Sequence, residues 1–167
     1  MKFAIVETFS TWLKSTKLSS FVTGYPWVWP ACETLHFIGL ALLVGTIAVV
    51  DLRMLGIGKG LPFAPLHRLV RWGIAGFTMN LITGFMFYAG EPSQYIHNGT
   101  FQLKILFILF AGINALVFEF TVLPEVKGLG PGDDAPLKAK VIALTSLFLW
   151  VGVTYLGRML PFLGEAF

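Results

Sequence analysis

The chain has 167 residues, of which 56% are hydrophobic and 13% charged, and its mean hydropathy is +0.76. A soluble domain carries about 25% charged residues, so this composition excludes a soluble globular domain, a disordered chain and a fibrous repeat. The net charge of +3 provides no basic face of the kind that nucleic-acid binding requires. We therefore predict an integral membrane protein that lies in a lipid bilayer and binds no nucleic acid.

Residues 1–24 differ from the rest of the chain, because charged residues interrupt their apolar pattern. Apolar residues recur there at helical spacing and form one stripe: Phe3, Ile5, Val6, Phe9, Trp12 and Leu13. Such a stripe, bordered by Lys14 and Lys17, is typical of an amphipathic helix that lies in the membrane interface. A secretory signal peptide fits less well, because neither an uninterrupted apolar region nor a small-residue cleavage site follows.

Four later segments contain the roughly 20 apolar residues that a helix needs to cross about 30 Å of hydrocarbon. They cover residues 27–50, 69–89, 101–123 and 141–163. Backbone groups must bond internally in lipid, and short Gly- and Pro-rich loops join the segments, so consecutive helices are antiparallel. The predicted fold is all-α: an integral membrane antiparallel four-helix bundle over residues 25–167, preceded by the interfacial helix of residues 1–24.

The distribution of Lys and Arg predicts the orientation of the bundle. The loops after the first and third segments, with their flanks, hold seven Lys and Arg, whereas three lie outside the segments on the opposite side. Loops rich in these residues remain in the cytoplasm. Both loops are therefore predicted to be cytoplasmic and both termini to lie on the outer side.

Ionisable residues inside the apolar segments are the strongest functional signal. Glu33 and His36 lie on adjacent turns of one helix face, Lys104 begins the third segment, and Arg158 lies near the end of the fourth. Each such group costs about 2.5–3.5 kcal/mol on insertion scales, so it is usually paired or functional. Alternating helix directions bring all four into the outer half of the bilayer, and we expect Glu33 to pair with Lys104 or Arg158.

Other polar residues are predicted to have structural roles. Asn80 and Asn114 lie nearer the middle of the second and third segments, where amides hydrogen-bond between helices. Charges of both signs gather at the cytoplasmic edge, where we predict an ion-pair clamp: Asp51, Arg53, Arg68, Arg71 and Glu119. The alternative is that Arg68 and Arg71 bind anionic lipid or a propionate.

A histidine inside a helix bundle, with cations nearby, is typical of a haem b site. Here His36 is the candidate iron ligand, and Lys104 and Arg158 are the candidate propionate contacts. His97 in the outer loop and Met86 in the second segment are candidates for the second ligand. A purely structural interpretation stays open, in which His36 makes an interhelical hydrogen bond and the Glu33 ion pair fixes helix register.

Copper is the competing ligand. Cys32 and His36 are i, i+4 neighbours on one helix face, and Met86 would add a thioether. Soft sulfur and imidazole ligands select Cu(I). Against this, a lone cysteine in an apolar helix is usually a small packing residue.

Two strings carry a resemblance, Glu33-Thr-Leu-His36 and Asp51-Leu-Arg53-Met-Leu-Gly56. Over most of residues 25–163 the chain resembles a family of small uncharacterised bacterial inner-membrane proteins. More distantly, the order of its His, Lys and Arg residues is similar to that in copper-resistance D membrane domains and HemJ-type protoporphyrinogen oxidases. The resemblance implies a multi-pass protein of the bacterial inner membrane with periplasmic termini, a four-helix core and haem b at His36. The N-terminal helix departs from the distant pattern.

The sequence leads to three functional hypotheses. The first is a small haem b-binding membrane protein in electron transfer or redox chemistry, with a quinone or a periplasmic redox partner. The alternative is a non-enzymatic subunit or anchor of a larger membrane complex, because the sequence contains no soluble domain and no hydrolase or nucleotide motif. The third is copper handling or permeation. The sequence leaves open whether the protein is an enzyme.

Overall fold

A computed structural model describes residues 2–163, with side chains from residue 7 onwards, and this part of the chain contains helices and no strand. The helices are α1 (Lys2–Lys14), α2 (Lys17–Gly24), α3 (Val28–Met54), α4 (Phe63–His67), α5 (Val70–Gly90), α6 (Pro92–Ile96), α7 (Gly99–Val117), α8 (Leu123–Val126) and α9 (Leu137–Leu163). A π-helical turn, Phe118–Val122, joins α7 to α8 without a break. The all-α prediction is confirmed.

The N-terminal segment forms two helices rather than the predicted one. The helix is interrupted after Lys14, and α2 begins at Lys17. Thr16 caps α2, because its Oγ1 accepts a hydrogen bond from the Ser19 amide (3.3 Å). Lys14 forms an ion pair with Glu91 (3.2 Å), and Val22 is buried, so the segment docks on α5 and α6. The first part of the predicted apolar stripe, residues 3–6, lies outside the described side chains.

Three helices within residues 2–163 are long and apolar enough to cross a membrane: α3, the continuous helix Gly99–Val126, and α9. They are consistent with the predicted bilayer environment. The fourth predicted span, α5, is not among them. Its 21 residues include Asn80, two threonines and several glycines, which dilute its apolar character. The four-helix transmembrane bundle is therefore only partly supported.

The long helices pack as two hairpins, α3 with α5 and α7 with α9, and α3 also packs against α9. At the first crossing, Gly39 and Gly76 let the backbones of α3 and α5 approach closely. At the end of the bundle that carries α6, named the outer end after the predicted topology, Asn98 Nδ2 donates to the Leu160 carbonyl (3.3 Å) and ties the second hairpin. By contrast, α5 and α7 are consecutive long helices that do not pack extensively against each other.

At the opposite end of the bundle, the inner end, Arg53 holds together the loops that follow α3 and α8. Its side chain is almost completely buried (1% exposed). Its Nε donates to the Leu61 carbonyl (2.7 Å), Nη2 to Gly130 (2.9 Å) and Nη1 to Asp133 (3.2 Å). The prediction of an ion-pair clamp is therefore wrong for Arg53, because loop carbonyls take the place of carboxylates.

The other charges of the predicted clamp lie apart from Arg53. Glu119 lies 3.5 Å from His67 Nε2, and Arg71 is exposed. Other ion pairs form at this edge: Asp134 contacts Lys59 (3.0 Å) and Lys140 of α9 (2.7 Å), and Lys138 of α9 contacts Glu125 of α8 (3.3 Å). The inner edge is thus closed by the loop contacts of Arg53 and by ion pairs other than the predicted ones.

Candidate functional site

His36 of α3 is held by Thr83 of α5. Its Nδ1 lies 2.7 Å from Thr83 Oγ1, and Thr83 is 2% exposed. The Thr83 hydroxyl also lies 2.8 Å from the Met79 carbonyl oxygen, and when it donates there its oxygen accepts the proton of His36 Nδ1. In that tautomer Nε2 keeps a free lone pair, which is the form of imidazole that binds a metal.

Asn80 supports the backbone next to His36. With its amide oriented to satisfy both ends, Nδ2 donates to the His36 carbonyl (2.7 Å) and the oxygen accepts from the Leu40 amide (3.0 Å). These contacts lie beside Gly39, where an added Cβ would meet Asn80. The structural role predicted for Asn80 has a concrete partner: the backbone of α3.

Lys104 of α7 lies near His36, although the two do not hydrogen-bond. It is close enough for its charge to act on the His36 ring, and its Nζ lies 3.3 Å from where a Cβ on Gly157 would be. Among residues 2–163, no ion pair or hydrogen bond of Lys104 is formed. Lys104 thus brings a positive charge to the His36 region without a protein counter-ion.

The predicted pairing of Glu33 with a cation is not formed. The Glu33 carboxylate accepts from the Trp29 indole Nε1 (3.2 Å) one turn earlier on α3. Arg158 is exposed, and its guanidinium lies over the Phe162 ring, 5.4 Å from the centroid. The structure therefore places Lys104 within electrostatic reach of His36, and it does not bring Arg158 to Glu33.

Aromatic residues flank the outer side of this region. The Tyr95 ring of α6 packs on Phe101 (5.2 Å between centroids) and Tyr88 (6.3 Å). Burial, followed by the negative charges of Glu33 and Glu91, raises the pKa of Tyr95, which keeps its phenol protonated. The next residue but one, His97, is exposed in the loop after α6.

Two sulfur atoms meet one helical turn from the His36–Thr83 contact. Cys32 Sγ, on a residue that is 4% exposed, lies 3.6 Å from Met86 Sδ. Within the part of the chain that the structure describes, no three His, Cys, Asp or Glu side chains group as a metal site. A metal here would therefore depend on the Met86 thioether.

The remaining predicted residues lie toward the inner end. Asp51 is buried beside Ser146 of α9, and Asn114 Nδ2 donates to the Ile142 carbonyl (3.3 Å). Sequence reasoning missed Thr83, Tyr95 and Ser146. The available signal was positional: Thr83 lies three residues after Asn80 on α5, and Ser146 interrupts an apolar segment.

The model of a family of unknown function, DUF6644, matches residues 9–163. This agrees with the predicted resemblance to an uncharacterised family. No curated protein and no solved structure matches the chain significantly. The distant resemblance to copper-resistance D and HemJ-type proteins therefore receives no support.

Proposed function

Since the chain belongs to the DUF6644 family of unknown function, its activity has to be derived from its own residues, and we propose that it is a small haem b-binding membrane protein in electron transfer. The observation that carries the proposal is the His36–Thr83 hydrogen bond (2.7 Å) inside the helix bundle. With Nδ1 bonded to the buried Thr83 hydroxyl, Nε2 is available as a ligand. Metal-binding histidines are commonly oriented in this way, by a hydrogen bond from the ring nitrogen that does not bind the metal.

Each residue has a defined part in this proposal. His36 would hold the iron, Thr83 would fix the ring, and Lys104 would meet a propionate, since its ammonium has no protein partner within residues 2–163. Arg158 remains a second propionate candidate. When bound, haem supplies one-electron transfer, and its axial ligand and surroundings set the potential. Of the two candidate second ligands, Met86 contacts Cys32, whereas His97 is exposed.

The proposal includes a topology. With 21 residues, α5 has the length that a span of about 30 Å requires, and we take it as the fourth membrane helix. Arg53, Lys59 and Lys140 then mark the cytoplasmic side. The protein would be a multi-pass protein of the bacterial inner membrane with periplasmic termini, facing a periplasmic redox partner.

The test is the absorption spectrum of the purified full chain, reduced minus oxidised, after expression with added haem precursor. A Soret band and an α band are expected, and His36→Ala should abolish both. His67→Ala is the matched control, because His67 lies at the inner edge and should leave the bands intact. Absence of both bands in the wild type, even after haem supplementation, contradicts the proposal. Stoichiometric copurification of a cofactor-free protein with a larger partner would favour the subunit or anchor alternative.

Copper handling is a second candidate, favoured by the contact between Cys32 Sγ and Met86 Sδ (3.6 Å). Thiolate, thioether and imidazole are a ligand set that suits Cu(I). The test is competition for Cu(I) against a coloured chelator, with Cys32→Ser and Met86→Leu as variants. Equal competition by wild type and both variants would exclude copper at this position. A haem spectrum unaffected by Cys32→Ser would separate this function from the first.

A further inference from the structure

A cleft opens in the inner half of the molecule, away from His36. It has a volume of about 250 Å³ and lies between α5 and α7, with α3 and α9 as its floor. It forms because α5 and α7 do not pack extensively against each other. Most of its lining is apolar, and includes Phe77, Phe118 and Trp150. An opening between two helices of a membrane protein is accessible to molecules dissolved in the bilayer.

One polar atom of this cleft is an acceptor that lacks a donor. Asp51 lines it and is 4% exposed, yet its Oδ2 has no hydrogen-bond partner among the described residues. Asn114 uses its amide nitrogen on the Ile142 carbonyl, which leaves the side-chain oxygen as an acceptor. The Ser146 hydroxyl lies on the same lining, close enough to act on the Asp51 carboxylate. Burying an acceptor without a donor costs free energy, so nearly all buried acceptors in folded proteins have a hydrogen-bond partner.

We propose that this cleft binds a small, bilayer-soluble aromatic molecule that donates a hydrogen bond from a hydroxyl group to Asp51 Oδ2. The apolar walls and aromatic residues suit a ring, and the acceptor set selects a ligand with a hydroxyl over one without it. The volume is below the roughly 300–1,000 Å³ of typical ligand pockets, which limits the ligand to about one ring and a short chain. The site is separate from His36 and does not depend on haem binding.

The probes are 4-propylphenol and its methyl ether, 4-propylanisole, in which a methyl group replaces the hydroxyl hydrogen and removes the hydrogen-bond donor. Binding is followed as a saturable rise in the unfolding temperature of the detergent-purified full chain. The phenol should bind at least tenfold more tightly than the ether. Asp51→Asn should reduce this discrimination to less than threefold.

Two glycines provide variants that do not touch the polar groups. Gly112 lines the cleft, and an added Cβ there meets no atom within 4 Å, so Gly112→Leu fills the cleft without a backbone clash. Gly45 is equally open but lies outside the cleft lining. Gly112→Leu should weaken phenol binding at least tenfold, and Gly45→Leu should leave it unchanged. Equal affinities for phenol and ether, or unchanged phenol binding in a folded Gly112→Leu protein, would overturn the proposal.

Discussion

Gly39 of α3 and Gly76 of α5 bring two helix backbones into direct contact: a Cβ added to Gly39 would lie 2.8 Å from the Gly76 carbonyl oxygen. Asn80 binds the same stretch of α3, and the His36–Thr83 hydrogen bond lies one turn away. The geometry of the candidate site therefore depends on the absence of side chains at this crossing.

Gly39→Ala should destabilise the protein by about 1–3 kcal/mol, the usual cost of overpacking. Gly45→Ala is the control, because nothing lies within 4 Å of its added Cβ. That change should be neutral or stabilising by up to about 1 kcal/mol, since alanine favours helix. Thermal unfolding in detergent measures both, and equal effects would contradict the role of the crossing.

Thr83→Val keeps the shape of the side chain but removes the partner of His36 Nδ1. A buried donor left without an acceptor costs about 1–3 kcal/mol, so the unfolding temperature should fall, whereas Thr83→Ser should retain most of the stability. Thr78→Val is the control, because Thr78 is exposed and bonds only to Ile74 of its own helix. In protein isolated with haem, Thr83→Val should also lower the haem content. A variant as stable as wild type would contradict the hydrogen bond.

Glu33→Gln should change stability by less than about 0.5 kcal/mol, as expected for an exposed side chain away from a network. A double-mutant cycle with Lys104→Met should be additive within about 0.5 kcal/mol. The reason is that Glu33 contacts Trp29 rather than a cation. A coupling energy above about 1 kcal/mol would instead reveal an ion pair across the bundle.

Arg53→Ala should destabilise the inner loops by about 3 kcal/mol or more, because three charge-assisted hydrogen bonds at about 1.5–3 kcal/mol each are lost. Arg53→Lys should rescue only part of this stability, since an ammonium lacks the planar fork of donors. Trypsin cleavage at Lys127 reports whether the loop has been released. Exposed Arg71 provides the control, and its replacement by alanine should leave cleavage slow.

Stability should depend on Asp134 at low pH. Hydrogen bonds from Lys140 and Lys59 lower the pKa of Asp134 from its ordinary value of 3.8 to about 2. A depressed carboxyl pKa stabilises the fold fully above the ordinary pKa, and this contribution disappears as the pH falls through the folded value. The difference in unfolding temperature between wild type and Asp134→Asn should thus be constant above pH 5 and vanish near pH 2. Because the group is exposed, added salt should reduce the difference. A difference that persists at pH 2 would contradict this assignment.

Apolar runs predict the long helices well, because length and composition in lipid leave few alternatives. The first predicted segment begins at residue 27, and α3 begins at Val28. The third segment was predicted to end at residue 123, whereas the helix continues to Val126. Pro124 does not end this helix. It follows the π-helical turn Phe118–Val122 and occupies the first turn of α8, a position at which proline is tolerated.

Side-chain partners were less predictable than helices. Spacing assigns Glu33 and His36 to adjacent turns, but it does not say that Trp29, one turn earlier, provides the nearest donor to Glu33. Similarly, a prediction from charges alone pairs Arg53 with a carboxylate. Every residue has a backbone carbonyl, so the sequence does not indicate which carbonyls Arg53 binds. Their position depends on the path of two loops, and that path is set only when the whole fold forms.

The contacts of Arg53 also form in a fixed order during synthesis of the chain. Gly130 and Asp133 follow it by 77 and 80 residues, so a ribosome completes α3, α5 and α7 before those partners exist. Until then the guanidinium has only the Leu61 carbonyl and water to bond, which keeps the inner end of α3 at the aqueous surface during insertion. The hairpin of α3 and α5 is consequently synthesised without this contact, which forms only once the second hairpin is being synthesised. Ribosome-bound intermediates truncated before residue 130 should therefore be inserted but remain open to proteolysis at their inner loop.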